Sequence, residues 1–313
     1  MTPEALGVTA EDIGAKTGTF GVPEFGTKFT RQMLEDTKPT TFAELVRISG
    51  LSHGTDVWLN NAQDIVLQGI APFKETICTR DDIMTYLIHK DLPPKRAFTI
   101  MEQVRKGKGL KDIDIEEMKE HNVPQWYIDS CNKIKYMFPK AHAVAYVTMG
   151  FRVAYYKVHY PLEYYCAYYT VRADDFDYSI MAKGRDKVKD IMRNYDSNPN
   201  LTAKEKSIYT ILEIVNEFYA RGYDFLPIDL YKSDASKFVR EGDKIRPPFT
   251  SLKGLGLSVA ESIVEAREKE EFFTKEDFAA RTKAGSSIID MLAEHGCFKD
   301  MPDSSQIDLF NLI

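Results

Sequence analysis

The sequence has few cysteines, and no two of them are close enough in the chain to form a metal or redox motif. The four cysteines among 313 residues lie at positions 78, 131, 166 and 297, so we interpret them as reduced, structural thiols. The N-terminus lacks the basic and then apolar pattern of a secretion signal, and no apolar run approaches the ~20 residues that cross a bilayer. We therefore expect a cytoplasmic protein without a membrane partner.

An excess of positive charge is also missing. The net charge is −6 at pH 7, which by itself is unfavourable for binding a polyanion. The lysines and arginines are nevertheless concentrated in two segments, 95–111 and 130–162, and the second segment contains no carboxylate. A surface that faces phosphate is therefore compatible with the negative total.

Familiar catalytic arrangements are absent as well. The sequence contains no Walker loop, no zinc-ligand cluster and no Ser/His/Asp arrangement. An acidic run at 174–177 resembles a two-metal carboxylate pair. It opens a predicted helix, where carboxylates favour the positive end of the dipole, and nothing near it supplies a further ligand. We therefore predict no catalytic and no metal-ligating residue in this chain.

The apolar periodicity predicts a mainly α-helical fold with a few short strands. Glycine and proline interrupt residues 1–40, which predicts no long helix there. The helical pattern then continues from about residue 41 to residue 171. Further elements are predicted as helices at 178–193 and 202–221 and as strands at 224–230, 236–239 and 243–245.

The most informative motif is LKGLGLS at residues 252–258, a Gly-x-Gly pair that leads into an amphipathic helix. Gly254 and Gly256 can both adopt positive φ values, which lets the amides that follow them point outward together. The helix expected from Ser258 adds unpaired N–H groups and a positive dipole end, and Lys253 adds a full charge. These features predict a phosphate site. They also resemble the helix-hairpin-helix motif, and this resemblance implies binding to a DNA backbone phosphate without reading of the sequence. The alternative is a pair of turn glycines that only begins a helix.

A second motif is KAHAVAY at residues 140–146, in a helix that Pro139 can begin. His142 and Tyr146 share one helical face, with Lys140 at its start. A triphosphate can then contact Lys140 and His142 while a base stacks on Tyr146. The alternative is a core helix with a hydrogen-bonded histidine and an aromatic stripe.

A basic and flexible run, RKGKG, occupies residues 105–109. Its cations Arg105, Lys106 and Lys108 alternate with glycine from Lys106 onward, so side chains and amides can both contact phosphate. The run is therefore a candidate nucleotide-binding loop. The alternative is a solvated loop between two helices.

The C-terminal segment QIDLF, residues 306–310, follows a Pro-Asp-Ser-Ser stretch. An apolar pair on a solvated tail suggests insertion into a groove of a partner protein. Leu309 and Phe310 would be the anchors and Gln306 a polar contact. The alternative is a tail that folds back on its own domain.

Together and in this order, the motifs resemble the C-terminal part of the PolC-type alpha subunits of bacterial DNA polymerase III, which are C-family replicative DNA polymerases. The resemblance covers essentially the whole chain. The segments that carry it are FGTKF (25–29), GLSHGTDVW (50–58), VRKGKGL (104–110), KAHAVAY (140–146) and the glycine motif at 252–258.

The resemblance implies an organisation and a set of partners. A dNTP would bind at Lys140, His142 and Tyr146, and the primer-template duplex would bind at the helix-hairpin-helix motif around Lys253. The tail would bind the sliding clamp. The implied segments are the end of the palm (1–40), the fingers (41–171), a helical and short-strand connection (172–245), a helix-hairpin-helix region (246–300) and the clamp-binding tail (301–313).

The metal-binding aspartates of this family lie in palm sequence upstream of these segments. The resemblance therefore implies that Mg²⁺ is bound by the palm and not by this chain. We expect template-directed DNA synthesis only together with an N-terminal, palm-bearing polypeptide, whether this chain is a truncated product or half of a split enzyme. The alternative is a non-enzymatic DNA-binding adaptor that is tethered to the sliding clamp.

Overall fold

The computed structural model describes residues 1–304 of the 313-residue chain. These residues form sixteen α-helices and one two-stranded sheet, so the prediction of a mainly α-helical fold is confirmed. The helices are α1 (Ala10–Ile13), α2 (Lys28–Thr37), α3 (Phe42–His53), α4 (Gln63–Leu67), α5 (Arg80–His89), α6 (Pro94–Arg105), α7 (Asp112–Glu120), α8 (Gln125–Lys133), α9 (Lys140–His159), α10 (Pro161–Val171), α11 (Tyr178–Met181), α12 (Arg185–Asp196), α13 (Ala203–Ala220), α14 (Leu257–Lys269), α15 (Lys275–Arg281) and α16 (Ser286–Glu294).

The chain divides into two compact units. The first comprises Met1–Thr2 and Lys16–Tyr155, and the second comprises Pro3–Ala15 and the residues from Tyr156 onward. The division into palm, fingers and duplex-binding segments that the sequence suggests stays a prediction.

The first unit is a helical assembly around one apolar core. Helix α3 begins with a capping box, because the Thr41 hydroxyl accepts from the Glu44 amide and the Glu44 carboxylate accepts from the Thr41 amide. Helix α6 begins with Pro94, which needs no N–H partner in the first turn. The buried core side chains include Ile83, Leu87, Ile100, Val104, Cys131 and Val147.

The second unit contains an aromatic cluster and a separate helical core. Tyr165 and Tyr169 of α10 pack on Phe218 of α13, with ring centroids 5.1 and 6.0 Å from the Phe218 centroid. The core under the glycine motif is formed by α14, α15 and α16, whose buried side chains include Ala260, Ile263, Phe278 and Leu292. This second core fixes the position of the α14 N-terminus.

The structure corrects the predicted strands. Strand β1 (Val239–Glu241) pairs antiparallel with β2 (Lys244–Arg246), and Gly242 has φ 67° in the turn between them. The strand predicted at 224–230 is wrong, since that segment is irregular apart from one bridge between Phe225 and Ile245. The strand predicted at 236–239 is also wrong except for its last residue.

Two helical predictions also differ from the structure. The helix predicted at 178–193 is two helices, α11 and α12, because Gly184 adopts φ 94° between them. The glycines and prolines of residues 1–40 do not prevent the ten-residue helix α2, which begins after Gly26. Its first turn is capped by the Thr27 hydroxyl, which accepts from the Thr30 amide at 3.2 Å.

Candidate nucleic-acid interface

The first half of α9 exposes a short ladder of aromatic rings. The imidazole of His142 stacks on Phe138 with centroids 4.8 Å apart, and the Tyr146 ring lies 4.4 Å from His142 on the other side. Tyr146 is 49% exposed. About half of the Tyr146 surface is therefore accessible to a ligand, while its ring is tilted by 42° against His142.

The ladder does not belong to the buried stripe of α9. That stripe includes Ala143, Val147 and Gly150, whose spacing of four and three residues follows one helical face. A side chain at Gly150 would place its Cβ 2.6 Å from the Pro23 carbonyl oxygen, so a glycine is required there. The interpretation of Tyr146 as a core residue is therefore wrong, and its role in binding a nucleotide stays a prediction.

Lys140 lies in a different concavity from His142 and Tyr146. Its ammonium is 3.8 Å from the Asp82 carboxylate, and its backbone N–H donates to Asp81 at 2.6 Å. The concavity has a volume of about 280 Å³ and is lined by Phe42, Ala43, Val46, Arg47, Thr79, Asp82, Lys140 and Val144. Lys140, His142 and Tyr146 were expected to form one site on one helical face, but they lie in two neighbouring sites.

Glu24 and His53 border the ladder on the side of α3. The Glu24 carboxylate accepts from the Ser49 hydroxyl at 2.7 Å and lies 3.5 Å from Nδ1 of His53. The rings of His53 and Phe138 are nearly perpendicular, with centroids 5.7 Å apart. A small cavity between these residues and Tyr146 places a carboxylate and two imidazoles next to the predicted base-stacking ring.

The basic run at 105–109 is partly neutralised within its own helix. Glu102 accepts from Arg105 at 2.9 Å and pairs with Lys106 at 3.0 Å. Hydrogen bonds from Arg105 and then Lys106 lower the pKa of Glu102 to about 2. Lys108 is exposed, and the structure gives it no side-chain partner among residues 1–304. Of the three predicted cations, Lys108 is therefore the one most available to bind a phosphate.

The loop that carries Lys108 packs closely on the segment before α9. Gly107 has φ 68°, and a Cβ at this position would lie 2.5 Å from the Lys135 carbonyl oxygen. Tyr136 accepts at its carbonyl from the Thr55 amide at 2.9 Å. Residues 135–138 therefore connect the three motifs at 50–58, 104–110 and 140–146.

In the second unit, the glycine motif forms the turn that precedes α14. Gly254 has φ 97°, as predicted, so this position favours glycine. Gly256 is different, because it is the N-cap residue with φ −75° and ψ 157°; the prediction of a positive φ there is wrong. No side chain caps the first turn of α14, and the helix begins at Leu257, one residue before the predicted start.

Lys253 is not a free charge beside this turn. Its ammonium pairs with the carboxylate of Asp177, which is only 4% exposed. The other oxygen of Asp177 accepts from the amide and the hydroxyl of Ser179 and thereby caps α11.

The acidic run at 174–177 forms contacts within the protein. Asp175 in this run accepts from the Ser207 hydroxyl at 2.7 Å. Among the side chains that the structure describes, no group of three or more His, Cys, Asp or Glu is arranged to hold a metal ion.

The sequence analysis did not identify Lys283, which lies in the loop between α15 and α16. Its ammonium donates to the Ser258 hydroxyl in the first turn of α14 at 3.2 Å. Its backbone amide donates to the Ser262 hydroxyl one turn further along the helix at 3.0 Å. The signal in the sequence is weak, because a lysine before Ala284-Gly285 resembles an ordinary solvated loop residue.

The predicted clamp-binding residues Gln306, Leu309 and Phe310 lie outside the described residues. Within residues 1–304, no helix is long and apolar enough to span a bilayer.

Two family models match parts of the chain, and the ladder of Phe138, His142 and Tyr146 lies outside both matches. A model of the bacterial DNA polymerase III alpha subunit finger domain matches residues 10–125. A model of the helix-hairpin-helix motif matches residues 222–306. The first range contains the basic run and the polar segment at 50–58, and the second contains the turn before α14 together with Lys283.

The chain is also similar over nearly its whole length to proteins named DNA polymerase III PolC-type. It is 58% identical to the Clostridium perfringens protein over 99% of this chain and 21% of the relative. The identity is 57% with the Oceanobacillus iheyensis protein, over 98% of this chain and 22% of the relative, and 56% with the Bacillus subtilis protein, over 98% and 21%. The chain spans about a fifth of the length of these relatives. The two matched domains and the similarity across the chain show that it belongs to the PolC-type DNA polymerase III family.

Proposed function

We propose that this chain is the C-terminal, nucleotide- and duplex-binding part of a replicative DNA polymerase. The observation that supports the proposal most is the first turn of α14, which has no side-chain cap and follows Gly254 in a positive-φ conformation. The turn lies within the segment that the helix-hairpin-helix model matches. Free amides at the positive end of a helix bind a phosphate, and a backbone phosphate is the same for every DNA sequence.

Substitution of Gly256 is expected to weaken duplex binding without unfolding the protein. No atom lies within 4 Å of a Cβ built at Gly256, and its extended backbone suits valine. The new side chain would stand where the phosphate approaches the amides. We expect Gly256→Ala to weaken binding and Gly256→Val to weaken it further, by about tenfold or more, since hydrogen bonds to a charged group contribute about 1.5–3 kcal/mol.

Fluorescence anisotropy with labelled duplexes of several sequences tests this expectation, together with a thermal melt of each variant. The loss should be the same for all sequences, because the contact is to the backbone. Tight binding of a folded Gly256→Val variant to every duplex would show that the turn only begins a helix.

For the nucleotide, we propose that a base stacks on the exposed face of Tyr146 and that nearby cations contact the triphosphate. Lys140 is 54% exposed, and its ammonium is at the long distance of 3.8 Å from Asp82. In such a loose ion pair, a phosphate can easily replace the Asp82 carboxylate as the partner of Lys140, because a phosphate carries more negative charge. Lys108 is a second candidate, since the other cations of its loop are paired with Glu102.

The proposed polymerase also needs groups that this chain does not supply. The carboxylates that would hold Mg²⁺ between primer terminus and triphosphate belong to a palm-bearing, N-terminal polypeptide. We further propose that residues 306–310 attach the enzyme to a sliding clamp, with Leu309 and Phe310 as apolar anchors. Such a tether would keep the enzyme at a high effective concentration near the primer end. The expected location is the cytoplasm.

Nucleotide incorporation is expected only when a palm-bearing polypeptide is present. Primer extension should be measured with this chain alone, with the preceding portion of the Bacillus subtilis relative alone, and with both. Synthesis by the mixture only is the expected result, and robust synthesis by this chain alone would mean that it contains its own catalytic carboxylates.

The second candidate function is a DNA-binding adaptor on the clamp, which predicts duplex binding without synthesis in any mixture. The exposed Tyr146 ladder favours the polymerase, because an adaptor does not need it.

A further inference from the structure

We infer that Lys283, rather than Lys253, is the main side-chain cation for the phosphate at the first turn of α14. The inference rests on the proposed function, namely phosphate binding by that turn. It adds Lys283, from the loop between α15 and α16, to a site that the sequence analysis assigned to the glycine motif alone.

Lys253 is committed to a buried carboxylate. Asp177 is 4% exposed, and its two oxygens are occupied by Lys253 on one side and by Ser179 on the other. A buried carboxylate that loses its counter-charge pays a large desolvation penalty. Transfer of the Lys253 ammonium from Asp177 to a phosphate would therefore gain one ion pair at the expense of another, and its net contribution to duplex affinity should be small.

In the described part of the chain, Lys283 lies at the turn without a carboxylate that would compete with a phosphate for its ammonium. Its ammonium donates to the Ser258 hydroxyl, and its backbone amide donates to the Ser262 hydroxyl on the next turn of α14. The first turn of α14 contains no acidic residue, and Lys283 makes no ion pair with a carboxylate in the part of the chain that the structure describes. A cation at the positive end of a helix is repelled by the dipole. An anion that binds between the amides and the ammonium removes this repulsion.

The two lysines can be compared in the full 313-residue chain. Binding of a labelled duplex should be measured by anisotropy between about 50 and 200 mM salt, with Lys283→Ala, Lys253→Ala and Lys269→Ala. Lys269 is the matched control, because it lies in the last turn of the same helix. Lys283→Ala should weaken binding by about tenfold and make the slope of log K against log salt shallower by about 0.9. The other two variants should remain near the parent.

Asp177→Asn provides a second measurement. Asparagine still caps a helix, while the charge that retains Lys253 is removed. In the Lys283→Ala background this change should restore part of the lost affinity, because Lys253 becomes available; with Lys253→Ala added, the restoration should disappear.

Several results would overturn the inference. One is a larger loss for Lys253→Ala than for Lys283→Ala, and another is parental binding by Lys283→Ala while Gly256→Val is impaired. In both cases the turn still binds duplex and only the assignment of the cation fails. Absence of duplex binding by the parent chain would overturn the proposed function and the inference together. Lys283 is exposed, so Lys283→Ala should keep the parental melting temperature.

Discussion

Replacing Glu217 by glutamine is expected to lower the free energy of unfolding by about 3–5 kcal/mol. The ammonium of Lys157 lies 2.8 Å from the Glu217 carboxylate, and neither side chain is exposed to solvent. The Tyr165 hydroxyl donates to the same carboxylate at 2.7 Å. Burial, and after it the charge of Glu217, raises the pKa of Tyr165 well above its ordinary value, so the hydroxyl remains a donor. Glu217→Gln would remove the negative charge that lies directly against this buried ammonium.

The pair itself need not be strongly stabilising, and a double variant separates the two effects. In Lys157→Met with Glu217→Gln, neither charge is buried, so most of the loss should be recovered. Urea unfolding followed by far-ultraviolet circular dichroism gives the free energies for the parent, both single variants and the double variant. If the double variant loses the sum of the two single losses, the side chains act independently and the buried-pair explanation fails. A domain is stable by only about 5–15 kcal/mol, so the single substitutions should be severe.

The long helices could be predicted from the sequence because their apolar residues follow the helical period. Helix α5 (Arg80–His89) lies inside the region predicted as helical at 41–171, with Ile83 and Leu87 buried at i and i+4. Helix α8 (Gln125–Lys133) also lies inside this region, and its Tyr127, Ile128 and Cys131 are buried at the same kind of spacing. This pattern, together with Pro124 before the helix, was the available signal.

The segment at 224–230 shows why short apolar stretches are less informative. Ile228 and Leu230 are buried at the alternate spacing of a strand, whereas Phe225 is buried three residues before Ile228 and does not follow that spacing. However, the Asp229 carboxylate accepts from the amides of Tyr231 and Lys232. Such local bonds satisfy the backbone without a partner strand, and Pro227 has no N–H to give to a ladder.

The candidate sites were predictable as motifs but not as sets of contacts. The positive φ of Gly254 follows from a tight turn, which is a local property. The ion pairs of Lys253 with Asp177 and of Lys140 with Asp82 join residues that are distant in the chain. Nothing in the sequence relates these partners to each other, because tertiary packing alone brings them together. Charges that looked free in the sequence are therefore partly neutralised in the fold.

Replacing Tyr146 by alanine is expected to weaken binding of the incoming nucleotide in the reconstituted enzyme. Loss of stacking between a base and an aromatic ring costs about 1–3 kcal/mol, which is roughly tenfold to hundredfold in affinity. The matched variant Tyr146→Phe keeps the ring and should remain near the parent. Lys140→Ala should also weaken nucleotide binding, because its loosely paired ammonium is proposed to leave Asp82 and contact the triphosphate.

The measurements for Tyr146 are the KM for each dNTP, the dissociation constant for primer-template duplex and the melting temperature. Since Tyr146 is 49% exposed and packs mainly on His142, its loss should leave the melting temperature almost unchanged. Duplex affinity should also be retained, because the phosphate turn before α14 is not altered. A normal KM for all four nucleotides combined with an early melt would mean that the ring stabilises α9 and does not stack on a base. An equal KM increase in Tyr146→Phe would instead assign the effect to the hydroxyl group, which the stacking geometry does not use.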